Sequence, residues 1–268
     1  MTKLDTHSPD TITVLCRLAV QAGINAMRHY HAGVEVKQKT DDSPVTLADR
    51  EGEDIITTGL AALCPDIQVI GEEGFESSGI TGVENRFFLL DPLDGTKEFI
   101  NKKTDFTVNI GLIENSFPVA GIVYAPALEQ LYFTLGDKAY EMGLAPEPKA
   151  LEALNLADAR QIQTRKPDEN GLVVVASRSH RTPETDDYLA TLSVKQLVSA
   201  GSSLKFCLIA KGEADIYPRF GRTMEWDTAA AHAVLLAAGG TVVDMEGNQL
   251  TYGKMERGLD NPFFIARA

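Results

Sequence analysis

Phe87-Phe88-Leu89-Leu90-Asp91-Pro92-Leu93-Asp94-Gly95-Thr96 is the stretch on which the fold turns. Four consecutive apolar residues read as a buried strand, and two carboxylates three apart at its end can converge on a hard cation. The Leu93 carbonyl between them offers a further oxygen ligand. Gly95 lets the backbone approach a ligand closely, and the amides of Gly95 and Thr96 would face a phosphate if a short helix begins there. The plainer reading of the same residues is an Asp-rich turn with a helix cap.

Three more acidic pieces lie outside it. Gly71-Glu72-Glu73-Gly74 follows the apolar run Ile67 to Ile70 and, read alone, is a solvated loop. Asp227 stands between Trp226 and the Ala-rich helical segment Thr228 to Ala238, where it fits an N-cap. Lys39-Thr40-Asp41-Asp42-Ser43-Pro44-Val45-Thr46-Leu47-Ala48-Asp49 ends in a Thr46/Asp49 pair spaced as a capping box.

Around these pieces, apolar periodicity predicts a helix over roughly residues 10–30 and another through Gly52, Ile56 and Leu60, closed by Pro65. Phe106, Val108, Ile110 and Leu112 alternate as a half-buried strand should, and Val119 to Tyr124 and Gln130 to Phe133 continue the series. From Leu144 to Asn170 the pattern dissolves, with room for one short helix. Beyond it, strands at Leu172 to Ala176, Ala214 to Tyr217 and Thr241 to Asp244 alternate with helical segments at Glu184 to Leu192, Ser203 to Lys211 and Asp227 to Ala238. The expected class is α/β (α+β). An N-terminal lobe over residues 1–150 carries an antiparallel sheet with two helices, and an α/β lobe over 151–268 completes two sheets layered among helices.

The 268 residues, 44% hydrophobic and 24% charged, suffice for a large core. A formal net charge of -13 argues against polymeric nucleic acid as a partner, because phosphate backbones need clustered Lys and Arg. It does not exclude a small anionic substrate if bound cations reverse the local sign. Cys16, Cys64 and Cys207 lack metal-ligand spacing and read as reduced thiols. Without a leader pattern or an apolar run of membrane-spanning length, the expected place is the cytoplasm.

Taken together and in order, Ser43 to Asp49, Gly71-Glu72-Glu73, Asp91 to Thr96 and Trp226-Asp227-Thr228-Ala229-Ala230 resemble the inositol monophosphatase superfamily of metal-dependent, lithium-sensitive phosphatases. Lys97-Glu98-Phe99, Phe106 to Ile110, Val123 to Pro126, Gly201 to Cys207 and Tyr217-Pro218-Arg219-Phe220-Gly221 are similar to its bacterial 3′(2′),5′-bisphosphate nucleotidases of the CysQ type. The similarity runs from about residue 10 to the C-terminus. Glu141 to Asn170 matches no motif, and Ala231 stands where glycine is common, which is expected to crowd the nucleotide pocket.

The resemblance implies a layered αβαβα sandwich of the inositol monophosphatase and fructose-1,6-bisphosphatase type. It implies Mg²⁺, two or three ions, held by Glu72, Asp91, the Leu93 carbonyl, Asp94 and Asp227. Asp49 and Thr96, with Glu72, would orient and deprotonate the attacking water, with Lys39 adding positive charge. Substrate would touch Leu93, Asp94, Gly95, Thr96 and Asp227 on one side and Ser202, Ser203, Lys205, Arg219 and His180 on the other. The implied reaction removes the 3′-phosphate of adenosine 3′,5′-bisphosphate, and of its 5′-phosphosulfate analogue, in sulfur assimilation, with inhibition by Li⁺. Monomer or homodimer, and contact with the inner face of the cytoplasmic membrane, stay open.

Rival readings are weighed against the same residues. Aspartyl-phosphate phosphatases carry one residue between their aspartates, whereas Pro92 and Leu93 make two here, which favours metal-activated water over a covalent aspartate. Inositol monophosphatase or fructose-1,6-bisphosphatase activity is the nearest alternative. A metal- or nucleotide-binding regulator without turnover is the alternative from another class, and the full set of ligands and water-positioning residues speaks against it.

Overall fold

The computed structural model describes residues 4–33, 36–38, 44–177 and 182–268. The first helix, α1 (Pro9–Ala32), starts where Ser8 Oγ accepts the Thr11 amide at 3.4 Å and Pro9 takes a position that needs no amide partner. A two-stranded antiparallel ribbon, β1 (Val36–Gln38) and β2 (Pro44–Thr46), leads into α2 (Leu47–Leu63). The Thr46/Asp49 capping box is formed at its start.

The chain then runs through β3 (Gln68–Gly71), α3 (Glu72–Ser78), β4 (Arg86–Asp94), α4 (Thr96–Ile100), β5 (Thr107–Glu114), β6 (Phe117–Ala125), β7 (Gln130–Leu135), β8 (Lys138–Gly143), α5 (Pro148–Ala153) and β9 (Arg160–Ile162). These strands form one seven-stranded sheet in sequence order, antiparallel except for β3 beside β4. After it come β10 (Leu172–Ser177), α6 (Pro183–Ala190), β11 (Val194–Ala200), α7 (Leu204–Ala210), β12 (Ile216–Arg219), α8 (Ala229–Ala237), β13 (Thr241–Asp244) and β14 (Phe264–Arg267). They make a five-stranded mixed sheet of order β11-β10-β12-β14-β13.

Burial sorts these elements into five layers. Residues Ile12, Leu15 and Ala19 of α1 and Ile56 and Leu60 of α2 share a core with Phe88, Leu90, Val108 and Ile110 on one face of the large sheet. The other face, carrying Phe87, Leu89 and Ile113, packs with Phe206 of α7, Val234 of α8 and Val175 and Phe264 of the second sheet. Outermost, Leu189 of α6 meets Val174, Ile216 and Ile265. The αβαβα arrangement follows. It also corrects one expectation: β5 is buried on both faces from Thr107 to Ile113, because helices cover the sheet on each side and its alternation separates two cores rather than core from water.

How closely α8 can approach depends on glycine. Gly111 of β5 lies opposite Gly121 of β6, and a Cβ on Gly121 would stand 2.0 Å from the Ala230 carbonyl oxygen. Because that neighbour is helix backbone, the whole element would have to move. Gly121→Ala is therefore expected to cost roughly 3 kcal/mol, at the upper end of overpacking penalties, read as a lower denaturation midpoint. Ala231, on the same helix, is completely buried in this core and does not line the cavity of about 350 Å³ described below, so it does not crowd that space.

Candidate active and metal site

Three chain segments end at one place because β3 and β4 run parallel and α8 is pressed on the same sheet. Asp91 pairs with Asn109 and Asp94 with Thr107, leaving Pro92 and Leu93 bulged between them. A bulge re-aims the side chains that flank it. Asp91, 1% exposed, lies on the strand face of Phe87 and Leu89, and its Oδ1 accepts the Leu93 amide at 3.0 Å. Glu72 opens α3 directly after β3, so it is half-buried on a helix rather than part of a solvated loop. Asp227 is not the N-cap of α8, a position held by Thr228, and its Oδ2 instead accepts the Met224 amide at 2.9 Å.

Carboxylate oxygens of Glu72, Asp91 and Asp227 lie within 4.8 Å of one another. Burial, and then the mutual repulsion of Glu72, Asp94 and Asp227, push the Asp91 carboxyl far above its usual range. Asp227 is raised by the same causes. An oxygen-only donor set whose charges are desolvated and repel one another fits a hard divalent cation, which would relieve both costs.

Asp94 is turned toward the second sheet. Its Oδ2 accepts the Ser202 hydroxyl and the Ser203 amide, both at 2.6 Å. Burial raises its pKa, while the Lys205 charge works in the opposite direction. Gly95 then turns the chain with φ 93°, and a Cβ there would meet the Asp105 carbonyl oxygen at 3.0 Å, so only glycine fits between β4 and α4. The Thr96 hydroxyl lies 3.2 Å from the Leu93 carbonyl oxygen and 3.3 Å from Asp49 Oδ1, with one proton to donate to either. Asp49 Oδ2 accepts the Thr46 amide at 2.8 Å and the Thr46 hydroxyl at 2.5 Å. One carboxylate thus caps α2 and reaches Thr96. Burial pushes its pKa up to about 7.

A cavity of about 350 Å³ is walled by Glu72, Asp91, Leu93, Asp94, Gly95, Thr96 and Asp227 and, from the second sheet's side, by Ser202, Ser203, Lys205 and Arg219. Lys205 is buried, its Nζ donating to the Ser202 carbonyl and lying 5.2 Å from the Tyr217 ring centroid. Burial lowers its pKa to about 8. Arg219 is buried too, with Nε donating to the Gly221 carbonyl at 3.1 Å and Nη2 to that of Arg222 at 2.6 Å. Lys39 and His180 lie outside the described residues.

The residues that sequence reasoning left without a role are Thr107 and Asn109. Thr107 Oγ1 bonds both Ser202 and Ser203, the latter at 2.9 Å, and Ser203 Oγ donates to Asn109 Oδ1 at 2.8 Å. They tie the end of β5 to the loop before α7. Their signal was available: two polar side chains two apart on one face of an otherwise apolar strand.

A layered sandwich with a carboxylate cluster at its strand ends suits a phosphatase, and the comparisons give the family. Residues 8–262 match the inositol monophosphatase family, to which the chain belongs. It is 45% identical over 254 residues to the 3′(2′),5′-bisphosphate nucleotidase CysQ of Salmonella typhimurium, covering 93% of this chain and 96% of that protein. The CysQ of Escherichia coli K12 is 43% identical, with 94% and 98% covered. Among solved structures, CysQ from Bacteroides thetaiotaomicron superposes with TM-score 0.79 at 36% identity, covering 96% of this chain and 97% of that one. An IMPase from Thermotoga maritima shares the fold, with TM-score 0.77 at 23% identity and coverage of 96% and 92%. No helix among the described residues is long and apolar enough to cross a membrane.

Proposed function

We propose that this chain hydrolyses the 3′-phosphate of adenosine 3′,5′-bisphosphate to AMP and phosphate, with Mg²⁺ as cofactor. The observation that carries the reading is the convergence of Glu72, Asp91 and Asp227 on the wall of a cavity whose far side presents Ser202, Ser203, Lys205 and Arg219. Support comes also from the CysQ nucleotidases, 43–45% identical over nearly their whole length.

Glu72, Asp91 and Asp227, with Asp94 and the Leu93 carbonyl, are the residues to hold the metal. When bound, a divalent cation stabilises charge on the scissile phosphate and eases deprotonation of the attacking water. Thr96 and Asp49 act on that water: Thr96 Oγ1 accepts its proton while passing its own to Asp49 Oδ1, which the 3.3 Å separation allows. A carboxyl whose pKa sits near 7 suits that exchange at neutral pH, although a nearby cation would draw it lower. Asp94 is positioned by Ser202 and Ser203, which donate to its Oδ2 and line the cavity beside it, so a ribose lying there would meet the wall that holds Asp94. Lys205 and Arg219 line the side of the cavity offered to the second phosphate, and the resemblance assigns His180, outside the described residues, to the base. The 5′-phosphosulfate analogue is a second substrate of the same site. We place the boundary between the two lobes between β9 and β10, later than the expected residue 150 because β9 pairs with β8 in the large sheet, and the site of action in the cytoplasm.

Phosphate release from adenosine 3′,5′-bisphosphate should require Mg²⁺ and be inhibited by Li⁺ at roughly millimolar concentration, because a cation of half the charge can fill one position without doing its work. Release that persists in EDTA would overturn the metal reading. Insensitivity to Li⁺ would count against this type of site while leaving hydrolysis itself standing.

A further inference from the structure

We infer that Arg222 is the residue that contacts the second phosphate of the substrate, and that Arg219 acts as its positioning residue. The inference rests on the bisphosphate reading and deepens it. Four cationic side chains, Lys97, Lys205, Arg219 and Arg222, line the cavity among the described residues. Lys205 is buried, bonded to the Ser202 carbonyl and set against the Asp94 charge, so its own charge is largely used in place. Arg219 is 6% exposed and spends Nε and Nη2 on the carbonyls of Gly221 and Arg222.

Those two bonds explain how Arg222 is presented. A guanidinium is a planar fork that holds two acceptors in fixed relation. Here it grips two successive carbonyls just after β12 and sets the turn from which the next side chain leaves. The Phe220 carbonyl is fixed as well, accepting the Thr182 hydroxyl at 3.1 Å. From this turn the Arg222 side chain emerges 66% exposed, making one long ion pair, Nε to Asp260 Oδ2 at 3.5 Å. An exposed guanidinium at a cavity wall, carried on a clamped backbone, is suited to bidentate recognition of a phosphate.

Arg222 is also the wall shared with a second cavity of about 340 Å³, lined by Arg257, Met245 and Phe263 among others. A phosphate bound at Arg222 would therefore sit at the junction of two spaces. Lys97 is exposed as well, but it belongs to α4, next to Thr96, the residue proposed to act on the water.

The test compares Arg222→Ala and Arg222→Lys with the wild type and with Lys97→Ala. Each is assayed with Mg²⁺ on adenosine 3′,5′-bisphosphate and on adenosine 3′-monophosphate, which keeps the scissile phosphate and lacks the second. Arg222→Ala should lower the preference for bisphosphate, as a ratio of kcat/KM values, about ten- to a hundredfold and mainly through KM. Arg222→Lys, which keeps charge but loses the fork, should fall between. Unchanged melting of the variants separates recognition from folding. An unaltered preference in Arg222→Ala, a loss equal on both substrates, or a preference that collapses instead in Lys97→Ala overturns the inference while the bisphosphate reading stands. A wild type that hydrolyses neither nucleotide removes that reading, and the inference with it.

Discussion

Asp91→Asn is expected to lower phosphate release by about a thousandfold, while the metal-free protein melts no lower than the wild type. The loss follows from weakening a cation whose contribution to phosphoryl transfer is several kcal/mol, at about 1.4 kcal/mol per tenfold. The preserved stability follows from the site itself. Asp91 is 1% exposed and its carboxylate is held among other carboxylates, so the amide removes a repelled charge while its oxygen still accepts the Leu93 amide. The folded-state pKa values of Asp91 and Asp227 are raised above their unfolded values, so protonation stabilises the metal-free fold at low pH and this contribution is lost as pH rises. Mg²⁺ needs the deprotonated ligands, so the increase in Tm that it produces should be larger at pH 8 than at pH 6, and should shrink in Asp91→Asn at either pH. A wild-type Tm that ignores Mg²⁺ would contradict the assignment.

Asp49→Asn should separate chemistry from metal binding. Asparagine retains an oxygen that can accept the Thr46 amide, so α2 keeps most of its capping box, but it cannot take a proton from Thr96. The expected result is a fall in kcat of about a hundred- to ten-thousandfold, with the Mg²⁺-induced rise in Tm retained. Thr96→Ala should give the same pattern from the other end of the contact. If Asp49→Asn instead lowers Tm and leaves kcat of the folded fraction intact, Asp49 serves the helix alone.

Much of the site was legible because its residues sit at element ends. The apolar run Phe87 to Leu90 names a buried strand, and the two aspartates after it can only lie where that strand stops. A local reading leaves room for a functional one: Asp49 completes the capping box and still reaches Thr96. Convergence was not legible from spacing. Glu72, Asp91 and Asp227 meet through the parallel pairing of β3 with β4 and the seating of α8, and only the order of motifs pointed to that arrangement. Two of the strands that missed detection, β11 and β9, are explained by position. In β11, Val194–Ala200, Lys195, Gln196 and Ser199 interrupt any apolar run, because this edge strand is largely exposed. In β9, Arg160–Ile162, only Ile162 is buried. That strand carries the large sheet into the stretch where the apolar pattern dissolves.

The central claim is that the cavity takes a nucleoside bisphosphate and releases its 3′-phosphate. It is tested most directly by kcat/KM for phosphate release, with Mg²⁺, from adenosine 3′,5′-bisphosphate beside inositol 1-phosphate and fructose 1,6-bisphosphate, with the nucleotide product identified. The account predicts a value for the adenosine bisphosphate at least about tenfold above inositol 1-phosphate, which lacks the second phosphate and its charge-assisted contact, and above fructose 1,6-bisphosphate, which lacks the adenosine, with AMP carrying its phosphate on the 5′ position as the product. Equal or faster release from inositol 1-phosphate, or a product that keeps its 3′-phosphate, would contradict it.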